Sequence, residues 1–66
     1  MKFDFEIGDL VSIGGHTGVI IDREIYDDEP DYLCQLDDDT VTIIGNDPGN
    51  STGWVRTKHI QRINPR

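Results

Sequence analysis

Short apolar runs constrain the fold of this chain most. Each run is three to seven residues long, is rich in β-branched side chains and is bounded by glycine, aspartate, asparagine or proline. Those bounding residues are the ones that favour turns. The chain has no alanine, and no apolar repeat of helical period extends beyond one turn. The pattern therefore predicts a small all-β protein of the sandwich or barrel type.

The apolar runs also give the approximate positions of the strands. We expect strands at 9–13, 19–25, 32–36, 41–44 and 54–57, with a closing strand at 61–63. The predicted connections are a glycine-rich turn at 14–18, a nine-residue loop at 45–53 and a one-turn 3-10 corner at 58–60. Strict alternation predicts a core made of Val11, Ile13, Val19, Ile21, Cys34, Leu36, Val55, Ile60 and Ile63.

The length allows one domain, which we expect to span residues 1–66 with its core at about 6–63. A single cysteine, Cys34, excludes a disulfide within the chain and fits a reducing compartment. No apolar run approaches the length of a signal peptide or a membrane span. We therefore expect a cytoplasmic protein.

Charge is unevenly distributed along the chain, whose formal net charge is −7. Residues 1–50 hold all 13 acidic residues and two basic ones, whereas residues 51–66 hold four basic residues and no acidic one. Such a chain is repelled by nucleic acid and by anionic lipid, unless its basic residues form an isolated patch.

Several short motifs together resemble the small SH3-like β-barrel, in the broad sense that includes KOW and Tudor-type domains. They are Gly8-Asp9-Leu10-Val11, Gly18-Val19-Ile20, Leu36-Asp37-Asp38, Gly53-Trp54-Val55 and His59-Ile60-Gln61-Arg62-Ile63. The resemblance implies a five-stranded barrel with a one-turn 3-10 helix before the last strand, as in short bacteriophage and bacterial proteins. The paired tyrosines of signalling SH3 domains and the basic charge of RNA-binding KOW domains are both missing here.

Two acidic segments are the leading candidates for a binding surface. They flank one predicted strand and could form a single negative face that docks a basic protein. The alternative is that they only keep a small domain soluble. The candidate residues are Asp27, Asp28, Glu29, Asp31, Asp37, Asp38 and Asp39.

Aromatic residues that border the predicted loops suggest a second contact. Tyr26, Tyr32 and Trp54 could line a groove, and Trp54 could equally belong to the core. The leading hypothesis is a non-catalytic module that binds a basic protein through the acidic loops and this groove. One alternative is a nucleic-acid-associated accessory that uses Arg56, Lys58 and Arg62 beside the tryptophan. Another is a small structural subunit that pairs through an edge strand.

Catalytic and metal chemistry find little support in the sequence. No motif places Cys34 or a serine beside His16 or His59, so we do not expect an enzyme. The Asp37-Asp38-Asp39-Thr40 stretch lacks the spacing of a calcium loop, and one cysteine with two histidines lacks zinc-type spacing. We therefore expect no metal and no cofactor.

Overall fold

A computed structural model describes residues 2–38 and 51–63, and these residues form one antiparallel five-stranded sheet. The strand order is β4-β3-β2-β1-β5. A 3-10 turn at Thr57–His59 precedes the last strand, so the all-β prediction with its single short turn is confirmed. The strands are β1 Leu10–Ile13, β2 His16–Tyr26, β3 Glu29–Leu36, β4 Thr52–Arg56 and β5 Gln61–Arg62.

Some of the predicted segments fall outside this description. The predicted strand at 41–44 and most of the predicted loop at 45–53 lie outside the described residues. Within the described part, β4 and β5 are the two edges, so the sheet is open there. No described helix is long and apolar enough to cross a membrane.

Two-residue turns close both hairpins that contain β2. Gly14 and Gly15 join β1 to β2 with φ of 59° and 88°, and Asp27 and Asp28 join β2 to β3 with φ of 55° and 64°. Two consecutive positive φ values match the twist of the flanking strands, which is why such turns favour glycine, asparagine and aspartate. Of the first acidic segment, only Asp27 and Asp28 lie in the turn, because Glu29 and Asp31 belong to β3.

The core lies on one face of the sheet, which we call the inner face. Its buried apolar residues are Phe5, Val11, Ile20, Tyr32, Cys34, Leu36, Val55 and Ile60. Five of the nine predicted core residues are among them, and Ile13 packs against them while partly exposed.

The predicted orientation of β2 was wrong by one residue. Ile20 is buried, whereas Ile21 is 44% exposed and Val19 is only partly buried. Ile63, which follows β5 and was also expected in the core, is likewise only partly buried. The run of Val19, Ile20 and Ile21 is apolar in either phase, so alternation alone does not fix which face is buried. Pairing decides it, because Val11 is fully buried and lies opposite Gly18.

Gly18 lets β2 and β3 approach closely at the start of their ladder. It lies opposite Leu36, and a Cβ at this position would sit 2.7 Å from the Gln35 carbonyl oxygen and 3.2 Å from the Leu36 Cα. Any side chain would force the backbone of β3 to move. This glycine therefore sets the spacing between β2 and β3 near the Gly14-Gly15 turn.

A β-bulge interrupts β2 between Ile20 and Asp22. Ile20 pairs with Cys34 and Asp22 pairs with Leu33, so Ile21 is an extra residue without a pairing partner. Because Val19 and Ile21 alternate with the buried Ile20, both lie on the opposite, outer face. Asp22 lies there too, since it pairs with Leu33 and Leu33 alternates with buried neighbours.

The N-terminal segment covers the inner face and is held by Tyr32. The Tyr32 hydroxyl accepts hydrogen bonds from the backbone N–H groups of Asp4, at 2.7 Å, and Phe5, at 3.3 Å. The rings of Phe3 and Phe5 meet the Tyr32 ring edge-on, with centroids 6.0 and 5.3 Å away. Arg23 adds a hydrogen bond at 2.9 Å from its Nη1 to the Phe5 carbonyl. The core is thus completed from outside the sheet.

Candidate interaction surface

An exposed apolar strip crosses the outer face of the sheet. Pairing registers Leu33 with Trp54 on β4, and Leu10 on β1 with Val19 on β2. The bulged Ile21 lies on the same face, between these two pairs. We call the set the apolar patch, and its members are Leu10, Val19, Ile21, Leu33 and Trp54.

The apolar patch is substantially open to solvent. Leu10 is 57%, Ile21 44% and Trp54 41% exposed, while Val19 and Leu33 are partly buried between them. Strands in a sheet lie about 4.8 Å apart, so the patch spans roughly 15 Å from β4 to β1. Single exposed apolar residues are ordinary, but a group of neighbouring ones that contains a tryptophan is a candidate interaction site.

Polar groups on β3 and β4 border the apolar patch, in the same row as Val19 and Leu10. Gln35 lies opposite both Val19 and Thr52. Its side-chain amide donates to the Ser51 hydroxyl at 2.9 Å, and it accepts a hydrogen bond from the Thr52 hydroxyl. The side chain is therefore fixed beside the patch.

Carboxylates border the apolar patch on the side nearer the Asp27-Asp28 turn, and we call them the acidic margin. Asp22 lies in the same row as Leu33 and Trp54, and the next row pairs Glu24 with Asp31. Glu29 follows Asp31 on the same face of β3, because residues two apart on a strand share a face. The acidic margin consists of Asp22, Glu24, Glu29 and Asp31.

Arg56 is the cation nearest this margin, and it is already paired within the chain. Its Nη1 lies 3.2 Å from Glu29 Oε1 and its Nε lies 3.9 Å from Asp31 Oδ1. Its guanidinium carbon also lies 5.6 Å from the centroid of the exposed Tyr26 ring. One arginine against four carboxylates leaves the outer face net negative.

The two acidic segments expected to form one face lie at opposite ends of β3. Asp27 and Asp28 form the turn before this strand, and Asp37 and Asp38 follow it. Eight strand residues span about 25 Å. Glu29 and Asp31 join the outer face, whereas Asp37 and Asp38 lie at the far end, and Asp39 is outside the described residues.

The expected aromatic groove is wrong for Tyr32. Tyr32 is fully buried, pairs with the buried Val55 and so faces the core, away from Trp54. Tyr26 and Trp54 do share the outer face, but the row that contains Asp31 and Arg56 lies between them. The three aromatic rings therefore do not line one groove.

Within the described residues, Arg56, Lys58 and Arg62 do not form one free basic patch. Arg62 donates from Nη1 to Asp9 Oδ2 at 3.1 Å and from Nη2 to the Asp4 carbonyl at 2.6 Å. Its guanidinium carbon lies 5.0 Å from the Phe5 ring centroid, on the N-terminal segment. Lys58 is exposed on the 3-10 turn. Arg56 and Arg62 thus form ion pairs with different carboxylates on different faces of the sheet.

Other features of the described residues offer less chemistry. A shallow depression of about 250 Å³ is lined by Gly8, Asp9, Leu10, Arg62 and Ile63. Cys34 is fully buried, and burial together with the charge of Asp31 raises the pKa of its thiol to about 11. No three His, Cys, Asp or Glu side chains within 2–38 and 51–63 gather into a group able to hold a metal ion.

Comparisons of the chain with protein-family models, with curated proteins and with solved structures found no significant match. The outer face therefore has to be interpreted from its own residues.

Four members of the apolar patch were missed by sequence reasoning. Val19 and Ile21 were expected in the core, and Leu10 and Leu33 were not singled out as surface residues. The position of Leu33 on the outer face could have been predicted, because Leu33 alternates with Cys34 and Leu36, which were expected to face inward. The outward position of Ile21 depended on the phase of β2, which the pairing of Val11 with Gly18 sets.

Proposed function

We propose that this protein is a non-catalytic protein-interaction module that binds a basic protein through the apolar patch and the acidic margin. The observation that carries the proposal is the 41%-exposed Trp54, which shares a row with Leu33 and the carboxylate of Asp22. An exposed tryptophan within an apolar surface is a common binding anchor, and flanking charge selects the partner.

We also propose that the fold is an SH3-like barrel. The supporting features are the meander from β1 to β4, the 3-10 turn after β4 and the return of β5 to pair with β1. The fold by itself assigns no activity, since such scaffolds carry many functions. The proposed function therefore depends on the outer face and not on the fold.

Protein binding has more support than nucleic-acid binding. A nucleic-acid surface needs several cations that are free to meet phosphates. Here Arg56 is paired with Glu29 and Asp31, and Arg62 is paired with Asp9. A phosphate backbone on the outer face would also meet the carboxylates of the acidic margin.

A random peptide library displayed on phage, selected on the immobilised protein, tests the proposal. We expect enriched peptides to combine Lys or Arg with aromatic or aliphatic residues. Trp54→Ser should weaken their binding by about 30-fold, because an anchor residue contributes on the order of 2 kcal/mol. Binding should also weaken as salt is raised, since the margin is exposed.

Ile7→Ser is the matched control, because Ile7 is 58% exposed but lies in the turn before β1, outside the apolar patch. It should leave binding unchanged within about twofold. Enrichment of acidic peptides, or binding that Trp54→Ser and Ile7→Ser affect equally, would contradict the proposal.

A further inference from the structure

We infer that Asp22 and Glu24 together bind a cation of the partner, and that an apolar side chain near this cation enters the depression next to Leu10. This inference rests on the proposed function and specifies which part of the outer face recognises the partner. The occupant we expect is an extended segment of a basic protein that carries Arg or Lys two residues away from a large aliphatic or aromatic residue.

The carboxylates of the acidic margin differ in whether they are already paired. Arg56 lies 3.2 Å from Glu29 and 3.9 Å from Asp31, so the charge of these two residues is partly neutralised within the chain. Asp22 and Glu24 form no ion pair with any cation in residues 2–38 and 51–63. The negative charge that a partner meets is therefore mainly that of Asp22 and Glu24.

The two unpaired carboxylates are neighbours on β2. They lie two residues apart on the outer face, so their Cα atoms are about 7 Å apart, and both residues are exposed. Asp22 Oδ1 accepts a hydrogen bond from the Arg23 N–H at 2.8 Å, which orients this carboxylate and leaves its second oxygen open. One guanidinium or ammonium group can therefore meet both carboxylates through charge-assisted hydrogen bonds.

The depression next to Leu10 lies on the same face. The Ile63 N–H donates to the Leu10 carbonyl at 3.3 Å, so the pairing of β5 with β1 continues one residue further and places Ile63 opposite Leu10. Residues that lie opposite each other share a face, which is the outer face for Leu10. The Gly8 N–H donates to the Ile20 carbonyl at 2.7 Å, so the Gly8 wall of the depression adjoins β2 two residues before Asp22.

The lining of the depression suits an apolar side chain. Its volume is about 250 Å³, which is below the roughly 300–1,000 Å³ of pockets that enclose small-molecule ligands. Leu10 and Ile63 form its apolar wall, and Gly8 adds no side chain. The charges of its other two members cancel, because Arg62 Nη1 lies 3.1 Å from Asp9 Oδ2. A charged side chain would lose water there without gaining a partner.

The spacing of the strands sets the distance between the two contacts. Leu10 lies opposite Val19, and Asp22 follows three residues later on β2. Steps of about 3.3 Å along a strand and 4.8 Å between strands put Asp22 roughly 10 Å from Leu10. Residues two apart in an extended segment share a face and span about 7 Å. The length of an arginine or lysine side chain covers the rest of the distance.

Two protein variants of equal net charge test the carboxylates. The probe is a synthetic copy of a displayed peptide whose binding Trp54→Ser weakens. The first variant combines Asp22→Asn with Glu24→Gln. The second combines Asp27→Asn with Asp28→Asn and keeps the turn, because asparagine also favours positive φ. We expect the first variant to bind the probe at least about tenfold more weakly than the wild type, and the second to change binding by less than about threefold.

Neutral versions of the probe identify the partner group that meets the carboxylates. Each Arg is replaced in turn by citrulline and each Lys by acetyl-lysine, which removes its charge. One replacement should weaken binding to the wild type at least about tenfold but binding to the Asp22→Asn, Glu24→Gln variant by less than about threefold. In the wild type, the side-chain carboxyl carbon NMR shifts of Asp22 and Glu24 should move with the original probe and not with the neutral one.

Two truncations of apolar residues test the depression. Ile63→Ala removes part of its wall. Ile25→Ala is the matched control, because Ile25 is 42% exposed and alternates with Glu24, so it lies on the opposite face. We expect Ile63→Ala to weaken binding of the probe at least about fivefold and Ile25→Ala to change it by less than about twofold.

The outcomes separate this inference from the proposed function. If Trp54-dependent peptides are selected but the two charge variants, or the two truncations, affect the probe equally, the inference falls and the proposed function stands. The same conclusion follows if no neutral replacement is coupled to Asp22 and Glu24. If no Trp54-dependent peptide with Lys or Arg is selected, both proposals fall. If the first charge variant does not fold, the carboxyl shifts of the wild type decide the matter.

Discussion

The hydroxyl of Tyr32 is the contact whose removal tests the fold most directly. It is buried and accepts hydrogen bonds from two consecutive backbone N–H groups, those of Asp4 and Phe5. Tyr32→Phe removes the oxygen and keeps the ring that Phe3 and Phe5 pack against. The substitution therefore isolates the anchoring of the N-terminal segment from the packing of the core.

The expected cost follows from the two donors that lose their acceptor. The Phe5 N–H is buried, and a buried donor without a partner costs about 1–3 kcal/mol. The Asp4 N–H is only partly buried and regains water, so it adds less. We expect the free energy of unfolding to fall by about 2 kcal/mol. For a domain of this size the melting temperature should drop by roughly 8–16 °C.

Urea unfolding followed by Trp54 fluorescence measures this change, and Tyr26→Phe is the matched control. Tyr26 is 61% exposed, so loss of its hydroxyl should change stability by less than about 0.5 kcal/mol. Faster amide exchange at Phe5 in Tyr32→Phe would locate the effect. If the two variants differ by less than about 0.5 kcal/mol, the Tyr32 hydroxyl does not hold the N-terminal segment and the reasoning is wrong.

Three further predictions concern the sheet itself. Gly18→Ala should lower the free energy of unfolding by about 1–3 kcal/mol in urea, because its Cβ would meet a β3 carbonyl oxygen at 2.7 Å; an unchanged midpoint would contradict the close approach. Asp28→Gly should raise stability by about 0.5–1 kcal/mol, since φ of 64° costs aspartate more than glycine, and a loss of stability would refute the turn geometry. The Cys34 thiol should react with a disulfide reagent at pH 8 only after unfolding, because burial raises its pKa to about 11 and leaves little thiolate; rapid reaction of the folded protein would show that the thiol is accessible.

The elements of this fold could be predicted where local chemistry fixes them. Gly14-Gly15 determines a tight hairpin, and the stretch after Trp54 determines a short turn before the last strand. Both depend on residues that are neighbours in the chain. The burial of Cys34 was predicted for the same reason, since it shares a strand face with Leu36 and the polar Gln35 lies between them.

The candidate site was harder to predict because it depends on pairing between distant residues. Which face of β2 is buried depends on Val11 opposite Gly18 and on the bulge at Ile21. The ring of Tyr32 is apolar and its hydroxyl is polar. From the sequence alone, this residue could therefore line a groove or belong to the core. Its pairing with Val55 and its contact with Phe5, 27 residues away in the chain, place it inside.

The position of β2 between two tight turns has a consequence for the order in which the sheet assembles. Both hairpins that share this strand close loops of two residues, so their formation costs little chain entropy and takes microseconds. Pairing of β5 with β1 instead has to bring Arg62 to Asp9 across 53 residues. That step comes late and adds only two strand residues. We therefore expect the β1–β2–β3 meander to form before the pairing of β5 with β1.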